Sequence, residues 1–290
     1  MLVSFLQLTA SGLAVGMIYA LMAVGLVLLV RAVGTMNFAQ GDLLTLGAFV
    51  AYWLSVQLGL SLAGTVIGAI LIFAIFGVLF MLTVFWPVRK SSWPQAITIC
   101  TIGASTIIKN SMTLIWGSRA LNIPPILPGS VQICGVYLEK QYFVIIGVAA
   151  LIIWGVFLLF DKLYCGRIMQ AAAQDKYAAT IMGIPTFITI AVTFMIVMCI
   201  VGIGGYLVAP LFVVSTSLSR LQLRAFAGVV IGGFGNLKGA VIGSIAVGLI
   251  ESYSSYVTTT YKDAVVFLLL LMVLVLKPSG LFGNRISDKA

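Results

Sequence analysis

Two short polar interruptions stand inside otherwise apolar sequence. The first, Asn37-Phe38-Ala39-Gln40-Gly41-Asp42, holds two carboxamides and a carboxylate; the second, Gly232-Gly233-Phe234-Gly235-Asn236-Leu237-Lys238-Gly239, sets Asn236 and Lys238 among glycines. Side chains of these types solvate a polar solute or an ion where the surroundings offer no other partners, which is binding chemistry and not bond-breaking chemistry. Covalent chemistry has little to draw on. The chain has no histidine, and Cys100, Cys134, Cys165 and Cys199 form no closely spaced pair. Neither a disulfide framework nor a zinc site of the usual Cys/His kind is expected, so the metal-site expectation is none. Lys238 is followed by Gly239 and lacks the Ser/Thr of a G-x-x-x-x-G-K-[ST] phosphate loop. A G-x-S-x-G nucleophile elbow is missing as well. No catalytic residue is expected, and the chain does not read as an enzyme.

The elements that must hold these interruptions follow from composition. Hydrophobic residues make up 62% of the chain, charged residues 8%, and the mean hydropathy is +1.20. Soluble domains carry about 25% charged residues, so this chain belongs in lipid. One crossing takes about 20 apolar helical residues, which gives 290 residues room for about eight or nine spans. Apolar segments are predicted at about 8–33, 38–57, 60–86, 95–116, 141–161, 187–212, 223–236, 239–256 and 259–277. Runs such as Val66 to Phe80 are continuously apolar, whereas a lipid-facing barrel would alternate, so every segment reads as helix. The fold expected is an all-α integral membrane protein: a polytopic helical bundle of about eight or nine membrane segments, including broken or re-entrant helices, forming a single domain over residues 1–290.

Residues 1–30 hold no Lys or Arg ahead of the apolar run, and the run is too long for a signal peptide, so it reads as the first mature span. The net charge of +9 is spread singly or in pairs between apolar runs. That pattern gives topology signals and not a nucleic-acid surface. Arg89 and Lys90, then Lys162, Arg167 and Lys176, then Lys277, Arg285 and Lys289 mark inside loops, which places the N-terminus outside and the C-terminus in the cytoplasm. Arg119, Lys140, Arg220 and Arg224 fall outside against the rule. The outward segment Gly117 to Lys140, with Pro124, Pro125 and Pro128, reads as a docking loop or a passive one.

At about 1.5 Å per residue, the segment at about 223–236 is too short to cross an untilted bilayer. It reads as one arm of a broken or re-entrant pair, and paired interruptions in the two halves of a transporter mark a translocation path. Asn37, Gln40, Asp42, Gly235, Asn236 and Lys238 are therefore the candidate path residues. Two plainer readings stay open: Asp42 as the cap of the following helix, and Gly232 to Gly239 as a helix-hairpin turn with glycines for tight packing. Lys109, Glu251 and Asp263 are charges in or near the membrane that face a cavity, a partner or the interface. The spacings Gly12/Gly16/Ala20, Gly64/Gly68, Gly228/Gly232 and Gly239/Gly243 predict close helix approach.

The segment from Gly16-Met17-Ile18-Tyr19-Ala20-Leu21 through Gly25-Leu26, followed by Met36-Asn37-Phe38-Ala39-Gln40-Gly41-Asp42 and Leu46-Gly47-Ala48, closely resembles the branched-chain amino acid ABC transporter permeases. Gly228-Val229-Val230-Ile231-Gly232-Gly233 with Gly235-Asn236-Leu237-Lys238-Gly239-Ala240 is similar to that family's late motif, and Lys277-Pro278-Ser279-Gly280-Leu281-Phe282-Gly283 to its closing one. The likeness covers essentially the whole chain and is to the shorter of the family's two paired permeases.

The resemblance implies a permease subunit of a binding-protein-dependent ABC importer in a bacterial-type inner (cytoplasmic) membrane, forming half of the translocation path for branched-chain or related small amino acids. It implies a heterodimer with a second related permease, two cytoplasmic ABC ATPases and a periplasmic or lipid-anchored substrate-binding protein. ATP and Mg are then bound by the partners, and this chain needs no cofactor of its own. Importer permeases of this kind carry a coupling helix with Glu-Ala-Ala, three residues, then Gly. The loop at about 161–187 offers Tyr177-Ala178-Ala179 and Gly183, with Tyr in place of Glu, and Gln174, Asp175, Tyr177, Ala178, Ala179 and Gly183 are its candidate ATPase-coupling residues. The motifs do not separate amino acids from urea, amides or aromatic acids as cargo. A stand-alone channel or secondary carrier for a small polar solute such as urea or an amide is the alternative.

Overall fold

The computed structural model describes residues 2–283 except Ser92, Pro94, Cys134, Gly135, Asp175, Thr259 and Thr260. Asp175, Arg285 and Lys289 thus lie outside the described residues. Among the described residues the chain forms eleven α-helices: α1 Leu2–Val33, α2 Gln40–Tyr52, α3 Leu62–Phe80, α4 Ala96–Trp116, α5 Lys140–Asp161, α6 Tyr164–Gln174, α7 Lys176–Ile181, α8 Thr186–Val208, α9 Leu221–Gly232, α10 Leu237–Val257 and α11 Lys262–Leu276. α2 and α3 each run on into a five-residue π-helical turn, Trp53–Gln57 and Met81–Phe85. Each of the nine apolar segments read from the sequence coincides with a helix. Among the described residues four helices are long and apolar enough to cross a membrane: Val3–Val33, Leu62–Phe85, Lys140–Phe160 and Thr186–Val208.

The chain divides into two compact units, with α1 and α5 contributing to both. The first comprises residues 1–27, 127–150 and 221–290. Its core is the antiparallel contact of α9 with α10, where glycine does the work that larger residues cannot. A Cβ on Gly232 would run into the Gly239 backbone, and one on Gly243 into the Gly228 carbonyl. α1 lies against α10 in the same manner: a Cβ on Gly16 would sit 2.9 Å from the Ile245 Cα, and Gly12 meets Ser252. These contacts realise the small-residue spacings, which let backbones approach where lipid supplies no hydrophobic drive between helices. Gly68, by contrast, meets only the Leu54 side chain, so the Gly64/Gly68 pair joins no two helix backbones.

The same unit contains a two-stranded hairpin of β1 Ser130–Ile133 with β2 Val136–Glu139, registered Ser130 to Glu139 and Val131 to Leu138. It lies in the segment Gly117 to Lys140 that the sequence predicts as loop. Gln7 Nε2 donates to the Tyr137 carbonyl at 3.2 Å and ties the hairpin to α1.

The second unit comprises residues 28–126 and 151–220, built on α8. α8 packs against α2 through Gly47, Gly202 and Gly205, and against α3 through Gly77, whose Cβ would lie 2.9 Å from the Met195 Cα. Phe73, Phe80, Phe85 and Phe194 fill the remaining space, with Phe85 and Phe194 ring centroids 5.6 Å apart. Trp86 meets the edge of Phe187, and the Arg89 guanidinium stacks 3.0 Å over the Trp86 ring. An amphipathic guanidinium held this way at the end of an apolar helix keeps its charge near water while its stem covers the ring.

Candidate functional site

In the second unit the first interruption forms the turn between α1 and α2. Asn37 Oδ1 accepts from the Ala39 N–H at 3.0 Å, and the Phe38 N–H donates to Thr101 Oγ1 at 3.2 Å, which ties the turn to α4. Asn37, Gln40 and Asp42 are all buried. Asp42 does not cap α2. The cap position is Ala39, without a side-chain bond, and Asp42 sits inside the first turn, where its carboxylate accepts from Ser105 Oγ of α4. Helix α4 comes close enough to take the carboxylate for itself, which is why local capping preference did not decide the matter. Lys109, exposed on α4, lies within electrostatic reach of Asp42. Ser105 and Thr101 are site residues that the sequence did not single out, because hydroxyls on an apolar helix carry no signal until the facing element is known.

In the first unit the second interruption is a helix-hairpin turn. Gly235 has φ +86°. Asn236 is the N-cap of α10, and its Oδ1 accepts from the Lys238 and Gly239 N–H groups at 3.1 and 3.2 Å. Lys238 itself is exposed. The closing motif docks here: Asn236 Nδ2 donates to the Phe282 carbonyl at 2.9 Å, Leu281 N–H to the Ile231 carbonyl at 2.8 Å and Phe282 N–H to the Gly232 carbonyl at 3.0 Å. Two late sequence motifs are thus one structural element, with Leu281 and Phe282 supplying donors to the C-terminal carbonyls of α9.

Glu251 and Asp263 join a network that spacing did not reveal. Tyr19 Oη of α1 donates to Glu251 Oε2 at 2.6 Å, Arg224 Nη1 of α9 lies 3.1 Å from Glu251 Oε1 and 3.2 Å from Tyr19 Oη, and Arg224 Nη2 lies 2.6 Å from Asp263 Oδ1. Lys262 Nζ stands 3.8 Å from Glu251 Oε1.

The predicted coupling loop forms α6 and α7. Gln174 ends α6; Tyr177, Ala178 and Ala179 lie in α7, with Ala178 exposed and Ala179 buried. α7 stops at Gly183, φ +79°, where the Gly183 N–H donates to the Thr180 carbonyl and the Ile184 N–H to the Ala179 carbonyl. This pair of bonds is a Schellman stop, which needs a left-handed residue and so favours glycine. Just before it Ile181 and Met182 are 68% and 81% exposed, an apolar tip at the end of α7. Against the loop lies a cavity of about 390 Å³. Met169, Gln170 and Gln174 of α6 line it together with Arg31 of α1, Phe160 of α5 and Thr193 of α8. Gln170 Nε2 holds α6 to α5 by donating to the Phe160 carbonyl at 2.9 Å. Among the described residues no group of His, Cys, Asp and Glu is placed to hold a metal ion.

A family model described as the branched-chain amino acid transport system permease component matches residues 8–275. The chain belongs to this family. It is 30% identical to the high-affinity branched-chain amino acid transport system permease protein LivH of Escherichia coli (strain K12), over 98% of this chain and 97% of that protein. It is 29% identical to the corresponding protein BraD of Pseudomonas aeruginosa, over 98% of each. A probable branched-chain amino acid transport permease of Methanocaldococcus jannaschii is 23% identical over 91% of this chain and 88% of its own length. No solved structure matches the chain. These relatives are named as transport components, and the resemblance read from the two interruptions and the closing motif is thereby sustained along the whole chain.

Proposed function

We propose that the chain is one permease subunit of a binding-protein-dependent ABC importer for branched-chain or related small amino acids in the bacterial inner membrane. The observation that carries this reading is the family match over residues 8–275, sustained at about 30% identity to proteins named for that transport. In this reading the helices make about eight or nine membrane segments, α9 and α10 being a broken pair about the Gly232 to Gly239 turn, and residues 1–290 act as a single permease domain with its N-terminus outside and its C-terminus in the cytoplasm. A second related permease completes the path, two ATPases bind ATP and Mg, and an extracytoplasmic binding protein delivers the cargo. The tip of α7 with Ala178, Ala179 and Gly183 receives the ATPase stroke; its small residues and apolar Ile181 and Met182 suit a cleft in a soluble partner. The turns at Asn37 to Asp42 and Gly235 to Lys238 border the path. Substrate crosses unmodified, by alternating access.

The test is uptake of radiolabelled leucine, isoleucine and valine into vesicles holding the purified complex, with and without the binding protein and MgATP. Uptake that requires every component establishes the reading. Solute flux through this chain alone, without ATPases, would instead establish a channel or secondary carrier.

A further inference from the structure

One guanidinium in the first unit collects four helices. Arg224 of α9 binds Glu251 of α10, Asp263 of α11 and the Tyr19 hydroxyl of α1, while Lys262 of α11 reaches Glu251. The members are not equivalent. Tyr19 is fully buried, and the Arg224 and Glu251 side chains are 13% and 8% exposed; those of Lys262 and Asp263 are 37% and 55% exposed. Charges in such a place are costly to maintain, and apolar residues of similar volume give equal or better stability, so stability alone does not account for the arrangement.

The charge count explains what the arrangement permits. α11 brings one cation, Lys262, and one anion, Asp263, on adjacent residues at its first turn. What stays behind when that turn lifts away is also one cation and one anion, Arg224 and Glu251, still bonded to each other and to Tyr19. Removing one partner from a buried ion pair is heavily penalised because it strands a charge. Here the parting strands none. The departing residues are the half-exposed ones, whose desolvation is already incomplete, and α11 is otherwise lightly held: Val266 is its single buried residue.

We propose that Arg224 is a positioning residue of the transport cycle, holding α9 to α10 through Glu251 in every state and holding the first turn of α11 through Asp263 in only one of them. Lys262 and Asp263 form the detachable arm, and Tyr19 keeps the remaining Arg224–Glu251 pair oriented. This rests on the importer reading and adds to it the helix that moves within the subunit.

The experiment uses the whole importer in vesicles, with spin labels on cysteines replacing the exposed Leu223 and Tyr261, which flank the clasp without belonging to it. Uptake by the labelled complex is measured first; its absence in the unlabelled wild type overturns the importer reading, and this inference with it. With uptake present, a second, longer Leu223–Tyr261 distance is expected when ATP is trapped on the ATPases, and a single unchanged distance in both states overturns the inference. Charge variants give an independent readout. Lys262→Met and Asp263→Asn alone each leave one charge unmatched and slow uptake by on the order of tenfold, whereas the double variant, with no arm and no stranded charge, is faster than either. A double variant as slow as the product of the two single effects overturns charge-neutral parting. A purely structural clasp would lower the melting temperature in step with uptake, and Arg224→Lys would then restore neither.

Discussion

The Asn236 side chain serves two elements at once: Oδ1 caps α10 at 3.1 and 3.2 Å while Nδ2 reaches the Phe282 carbonyl at 2.9 Å. Loss of an N-cap costs about 0.5–2 kcal/mol. Asn236→Ala is therefore expected to lower stability by about 1–2 kcal/mol, and Asn236→Asp, which keeps the cap and loses only the amide donor, by less. Thermal unfolding of the detergent-purified protein checks the order; equal loss in both variants would remove the cap from the account.

Gly232 and Gly239 meet backbone to backbone, so a side chain on either must push α9 and α10 apart. Overpacking of this kind costs about 1–3 kcal/mol or more. Gly239→Val is expected to abolish recovery of folded protein from the membrane. Gly103→Ala, at a position where a Cβ would meet nothing, is the control and should leave the yield unchanged.

Gly183 separates conformation from contact, because its φ is +79° while a Cβ there would lie in open space. Gly183→Asn should retain most uptake and Gly183→Val lose more, since a left-handed β-branched residue is strained by roughly 1–2 kcal/mol. Ala178→Arg on the exposed face of α7 and Gly183→Trp should each uncouple: ATP hydrolysis by the assembled importer continues while uptake falls. Unchanged transport in both would end the coupling assignment.

Asp42 is buried and accepts from the half-buried Ser105. Leaving a buried acceptor without its donor costs about 1–3 kcal/mol. Ser105→Ala is expected to destabilise by that amount, and a double-mutant cycle with Asp42→Asn should return a coupling energy of about 1 kcal/mol or more. A cycle that closes additively would show that the contact contributes nothing.

Much of this architecture was legible in the residues. Continuous apolar runs of helical length placed the helices, and the two glycine or carboxamide interruptions fell where the helices turn, because a break in apolarity and a break in backbone regularity share one cause: polar backbone groups must find partners. What escaped was everything that depends on the facing element. The hairpin of Ser130–Ile133 with Val136–Glu139 has strands of only four residues each, too short for their alternation to stand out from the surrounding loop. The alternative of Asp42 as a cap fails because Ser105 of α4 donates to its carboxylate, a contact that no local spacing shows. Tyr19, Arg224, Glu251 and Asp263 lie on four different helices, and no local spacing links them. The closing motif, likewise, gave no hint that it completes a helix end some fifty residues upstream.

That last connection bears on how the protein is made. The carbonyls of Ile231 and Gly232 receive their donors from Leu281 and Phe282, which leave the ribosome well after α9 has been handed to the membrane. Until then an interior helix ends in bare acceptors. A product cut short before Leu281 would lack both donors for good, and the end of α9 would keep two acceptors in need of other partners.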